Sequence, residues 1–133
     1  MTNKCRKLWL FLPLSCAMAI LASPVHAAVN YANVAPIFNK NCVLCHNGAA
    51  APLGLRLDNY DAIVKGGNSG PVALPGDSRN SKLMGRLLGS IQPRMPLTGP
   101  PFLSDADTAL IADWIDTGLQ PASASQAAAL PAV

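Results

Sequence analysis

Asn41-Cys42-Val43-Leu44-Cys45-His46 is the stretch on which the fold turns. Its two thiols and its imidazole stand three and four residues apart, so on a helix they share one face. The residues before it read as that helix. Val34, Ile37, Phe38, Cys42 and Cys45 recur at helical spacing, Pro36 is tolerated in the first turn, and Asn33 is a fitting N-cap. A helix is predicted over residues 31–45, with Asn47-Gly48 as its stop.

Further along, residues 49–57 form a loop containing Pro52 and Gly54. A short helix is expected over 58–65, capped by Asp58 and stopped by Gly66-Gly67. Residues 68–77 are rich in turn signals, with Gly70-Pro71 and Pro75-Gly76. A third helix starts at Asp77 or Ser78, carries Leu83, Met84, Leu87 and Leu88, and gives way to a Pro- and Gly-rich loop over 89–103. The last helix has the clearest start, with Ser104 as N-cap and Asp107 three residues on. Asp105 and Asp107 suit the helix dipole. Ala106, Leu110, Ile111, Trp114 and Ile115 form its apolar face, and Gly118 closes it. Residues 120–133 carry no charge and no convincing period, and are expected to be a flexible Ala/Ser/Pro-rich tail. No strand pattern occurs, so the predicted fold is all-α with long loops.

The chain has 133 residues, 50% of them apolar and 13% charged, with 12 Pro and 10 Gly. That is too apolar for disorder and too interrupted for a membrane bundle. The formal net charge of +3 has a local source. Lys4, Arg6 and Lys7 precede an apolar run from Leu8 to Ile20, and Ala-Ser-Pro-Val-His-Ala27 offers a small-residue cleavage site. The run is short and wrongly flanked for a span. Residues 1–27 are therefore expected to be a cleaved secretory signal; a retained anchor is the alternative. Beyond Ala27, Lys40, Arg56, Lys65, Arg79, Lys82, Arg86 and Arg94 balance seven Asp. No basic stripe remains, so a nucleic-acid partner is not expected.

The same cut removes Cys5, Cys16 and His26, leaving Cys42, Cys45 and His46. C-x-x-C-H is the signature of covalent haem attachment. The two thiols suit the two vinyl groups of one haem, and the imidazole suits its iron. A thioredoxin-type pair would want a preceding strand. A structural zinc needs about four ligands. A disulfide between Cys42 and Cys45 would close a tiny loop and leave His46 idle. A haem also supplies apolar area that Tyr31, Phe38, Tyr60, Phe102 and Trp114 alone supply sparsely, and the haem-free chain is expected to be largely unfolded. No second histidine remains for the far side of the iron, but Met84 and Met95 do. Met84 sits among Leu83, Leu87 and Leu88, where methionine usually fills a core. Met95, in the loop before the last helix, is favoured as distal ligand. The carbonyl of Pro52 or of Pro71 is expected to accept from the other nitrogen of His46. Arg56, Arg79, Arg86, Tyr60 and Trp114 are possible donors to the haem propionates.

These stretches resemble the class I single-haem cytochromes c, and most of all the planctomycete-type cytochrome c module. The resemblance rests on Val34-Ala-Pro-Ile-Phe38, Asn41 to His46, Gly54-Leu-Arg-Leu-Asp58 with Tyr60, Lys65-Gly-Gly67, Ser69-Gly-Pro71, Pro75-Gly-Asp77, Met95-Pro96, and Leu103-Ser-Asp105 with Trp114-Ile115. It implies a small cytochrome c-like domain over 28–119, wrapped around one haem bound through Cys42 and Cys45. It also implies His46 as proximal and Met95 as distal iron ligand. The family often reads Met-Pro-Pro where this chain has Met95-Pro96-Leu97.

The expected function is a periplasmic or otherwise exported electron carrier, not an enzyme by itself, with redox proteins as partners and no membrane span after cleavage. The alternative is a haem-based ligand sensor or peroxidase-like protein whose sixth site is open.

Overall fold

The computed structural model describes residues 28–131. The expected signal segment, residues 1–27, lies outside the described residues. Five helices follow in order: α1 (Tyr31–Asn41), α2 (Tyr60–Lys65), α3 (Lys82–Leu88), α4 (Asp105–Asp116) and α5 (Ala124–Ala129), with a 3-10 turn at Pro52–Gly54. Among the described residues there is no strand, only the isolated bridges Gly67–Gly70 and Leu74–Asp77. The chain is all-α, as its periodicity predicts.

α1 starts one turn earlier in its capping than the sequence suggests. Asn30, not Asn33, is the N-cap; its side chain accepts from Ala32, and Asn33 bonds back to the Asn30 amide (2.9 Å). α2 likewise starts at Asn59 rather than Asp58, with the Asn59 side chain accepting from the Ala62 amide (2.9 Å). Gly66 ends α2 at φ 79, and a Cβ there would collide with the Gly70 backbone. α3 begins at Lys82, four or five residues later than predicted. The Asp77 carboxylate takes the Asn80 amide and side chain (3.1 and 2.7 Å), while Ser81 Oγ donates to the Asp77 carbonyl (2.7 Å). These local bonds make a turn that competes with the helix. α4 matches its prediction, with Ser104 Oγ accepting from the Asp107 amide (3.1 Å).

α1 packs on α4, and α3 packs on α4 from another side. Val34 and Phe38 of α1 and Ile111, Trp114 and Ile115 of α4 are fully buried. Trp114 is the hub, with ring centroids 6.0 Å from Tyr31, 6.0 Å from Phe38 and 6.5 Å from Tyr60. Few as they are, the aromatics thus build a centre of their own. Beyond α4 the backbone turns left-handed at Gly118 (φ 89) and Leu119 (φ 56). That bend aims two carbonyls inward: Tyr60 Oη donates to Leu119 (2.9 Å) and Trp114 Nε1 to Gln120 (3.0 Å). The bend satisfies the polar tips of Tyr60 and Trp114.

α5 stands in the segment for which no element is predicted. Ser123 and Gln126 form a capping box, Asn30 Nδ2 donates to Gln126 Oε1 (3.1 Å), and Leu130 packs against the core.

Candidate functional site

The Cys/His motif begins where α1 ends. Asn41 Nδ2 donates to the Ile37 carbonyl (2.8 Å). The Cys42 and Val43 amides both donate to the Phe38 carbonyl (2.8 and 3.1 Å), and this shared acceptor breaks the helical ladder. The helix predicted through Cys45 therefore stops at Asn41. One further turn follows, in which the Cys45 and His46 amides both donate to the Cys42 carbonyl (3.2 and 2.9 Å). Cys42, Cys45 and His46 are thus gathered by a separate turn with helical hydrogen-bond spacing. Val43 is buried, and Leu44 points into solvent, 89% exposed.

Both thiols are free. Cys45 is exposed; Cys42 is half-buried against the core, and burial pushes its thiol up to about 12.

His46 is fixed from behind. Its Nδ1 lies 2.9 Å from the Leu55 carbonyl, and its own carbonyl accepts from the Leu57 amide (2.8 Å). A carbonyl can only accept, so Nδ1 carries a proton, and in the neutral ring Nε2 keeps its lone pair. The acceptor is neither Pro52 nor Pro71. The reason is the path of the intervening loop. Leu53 (φ 54) and Gly54 (φ 68) are consecutive left-handed residues, and the Leu53 carbonyl is held by the Asn68 amide (2.8 Å). This reversal turns Leu55 back onto the histidine. A Cβ at Gly54 would collide with the Asn68 side chain. Proline and glycine in the sequence mark the loop, but a pair of left-handed residues in succession is not readable from them.

The two methionines occupy different settings. Met84 is buried in α3, 4% exposed, among Leu83 and Leu87. Met95 is half-buried on the loop after α3, a different element from the Cys/His turn, with its amide on the Arg86 carbonyl (3.0 Å). The polar candidates for propionates are partly engaged. Tyr60 and Trp114 direct their donors to backbone carbonyls. Arg56 pairs with Asp58 (2.6 Å) and holds that nearly covered carboxyl below the usual carboxylate range. Arg86 donates to the Pro93 carbonyl (3.2 Å).

Among the described residues no group of three or more His, Cys, Asp or Glu is placed to hold a metal ion. A donor set of two free thiols beside one imidazole with a bare Nε2 instead fits a haem, whose porphyrin brings four nitrogens of its own. The large apolar side chains left exposed among the described residues are Leu44, Leu53, Leu74, Leu88, Ile91 and Leu97, all between residues 44 and 97. A separate cleft of about 340 Å³ lies by Tyr31, Asn39, Arg56, Asp58 and Leu130 and includes none of the Cys, His or Met residues named here.

Comparison with known families bears on the same span. Residues 42–97 match the family model described as Planctomycete cytochrome C. This stretch is similar to a planctomycete-type cytochrome c module. The match opens on Cys42 and closes two residues after Met95, so the cytochrome c module contains the Cys/His turn, the loop behind His46, α2, α3 and the Met95 loop. Helix α1 and helix α4, which carry the fully buried Val34, Phe38, Ile111, Trp114 and Ile115, lie outside it. A cytochrome c module implies haem c with its iron. No curated protein and no solved structure matches the chain.

Proposed function

We propose that the protein is an exported one-electron carrier holding one haem c between His46 and Met95. One observation carries this reading: the imidazole beside the two free thiols is pinned through Nδ1, leaving Nε2 bare. In this reading Cys42 and Cys45 each add their S–H bond across one vinyl group. Both atoms of that bond are retained, so the step needs reduced thiols and no oxidant. His46 offers Nε2 as proximal ligand, while the Leu55 carbonyl fixes the ring plane and makes the imidazole a stronger donor. Met95 offers its thioether from the loop, and a His/Met pair raises the reduction potential. When bound, the haem supplies a single reversible electron step. No side chain is assigned a proton to move or a bond to break, which is why the reading is a carrier and not an enzyme.

Export through residues 1–27, with cleavage after Ala27, places the chain where such attachment is made. No helix among the described residues is long and apolar enough to cross a membrane. The partners are redox proteins, approached under modest long-range steering because Lys and Arg balance Asp beyond Ala27.

Spectroscopy of the ferric protein tests the ligation. The methionine-to-iron charge-transfer band is expected in the wild type, absent in Met95→Ala and retained in Met84→Ala. Rapid carbon monoxide binding by the ferrous wild type would instead favour a ligand sensor or peroxidase-like protein with an open sixth site.

A further inference from the structure

The loop that carries Met95 is poor in backbone hydrogen bonds of its own. Pro93, Pro96, Pro100 and Pro101 lack the N–H donor. The Ser90 hydroxyl and the Ile91 amide tie the start of the loop to the Gly85 carbonyl (3.2 and 3.0 Å), and the remaining ties to α3 fall on the residues beside Met95. Arg86 Nη1 donates to the Pro93 carbonyl (3.2 Å), and the Arg86 carbonyl accepts from Met95 (3.0 Å). Arg94 makes the longest bridge. Its Nε donates to the Leu87 carbonyl (3.0 Å) in the last turn of α3, where a cation also suits the helix dipole. Its guanidinium carbon lies 3.8 Å above the Phe102 ring centroid, at the far end of the same loop. Its amide is held by Gln92 Oε1 (3.1 Å). Gly89, left-handed at φ 82, lets the arginine stem pass: a Cβ there would stand 3.0 Å from Arg94 Cδ.

We propose that Arg94 is a positioning residue for Met95, clamping the loop between α3 and Phe102 so that the thioether is presented in one place. The inference rests on the reading of Met95 as distal ligand. Arg94 joins two ends of the loop at once, because one edge of a planar guanidinium donates to Leu87 while its face stacks on Phe102. Lysine has neither the fork nor the face and does one task or the other. With the clamp released, the loop samples other positions, and the fraction that presents Met95 falls in proportion.

The experiment is a titration of the full-length, haem-loaded ferric protein with imidazole, which competes with Met95 for the iron. Loss of the methionine charge-transfer band is the readout. Arg94→Ala is expected to tighten apparent imidazole binding about tenfold, the factor that corresponds to losing one charge-assisted hydrogen bond of ordinary strength. Arg94→Lys falls between that variant and the wild type. Lys82→Ala, which removes one exposed positive charge from α3, leaves the titration unchanged. Phe102→Leu keeps the Leu87 bond, tightens binding less than Arg94→Ala, and serves if Arg94→Ala fails to fold. A wild-type band with unaltered titrations in Arg94→Ala, or in Phe102→Leu where the former does not fold, overturns the clamp and leaves the Met95 reading standing. A wild type with no methionine band overturns both.

Discussion

At position 58 a nearly covered carboxylate takes its charged partner from Arg56, while Asn59 Nδ2 donates to its other oxygen (3.1 Å). The Arg56 guanidinium donates to Asp58 through Nε and Nη2, and this pairing holds the carboxyl below its ordinary range. A group whose pKa is lower in the folded than in the unfolded chain stabilises the fold above its unfolded value, about 3.9. That stabilisation is lost as pH falls through the folded value. Arg56→Ala should therefore be less stable than wild type at neutral pH. The gap should begin to close as pH drops below about 4, where Asp58 of the unfolded chain takes up its proton, and vanish once the folded carboxyl is protonated too. Denaturant titrations at several pH values check this; a gap independent of pH would contradict it. Trp114 shows a residue whose polar tip matters as much as its area. Trp114→Phe loses the bond to the Gln120 carbonyl and part of the ring, and is expected to cost about 1–3 kcal/mol in urea unfolding. With no haem bound, Leu44→Ser, at an exposed site, should change stability by less than about 0.5 kcal/mol.

Among the elements, the caps separate global from local stability. Ser104→Ala removes the bond to the Asp107 amide on α4, a helix that carries the core, and should lower unfolding free energy by about 1 kcal/mol. Ser123→Ala should instead raise hydrogen exchange only over residues 124–129, because α5 buries none of its side chains. Periodicity made α4 readable from its cap to its apolar face, and made α1 readable in its face and its first residue, Tyr31, although not in its cap; α2 was readable from its stop, Gly66-Gly67. Asn33 looks like a cap because it bonds backbone as a cap does, yet its partner is the Asn30 amide. The start of α3 is hidden because Asp77, Asn80 and Ser81 favour turn and cap alike. α5 has no amphipathic period to detect, since it is built of Ala and Ser. Its readable sign was the Ser123-x-x-Gln126 box. The Cys/His spacing was legible at once, because three and four residues place side chains together on any single helical turn. The Leu55 acceptor and the Arg94 clamp were not legible, since both depend on where loops of Pro and Gly double back.

On the scale of the whole molecule, the chain divides its work. α1 and α4, with Trp114 at their contact, form one side of a packed core whose other side comes from residues 42–97 through Leu57, Ile63, Ala73, Leu83, Met84 and Leu87. The matched module contributes the thiols, the imidazole, Met95 and the exposed apolar side chains. In the proposed reading, haem attachment at Cys42 and Cys45 ties the module to this core. Replacing both thiols, Cys42→Ala with Cys45→Ala, should therefore give a chain that melts well below the haem-bound form, followed by far-UV circular dichroism. A coincident transition would show that the haem adds nothing to the fold.

The central claim is that Cys42 and Cys45 carry the haem covalently. Intact mass spectrometry of the exported, acid-denatured protein tests it most directly. The account predicts a chain starting at residue 28 and heavier by one haem, with the added mass lost in the Cys42→Ala, Cys45→Ala variant. A wild-type chain at the mass of the bare polypeptide would contradict it.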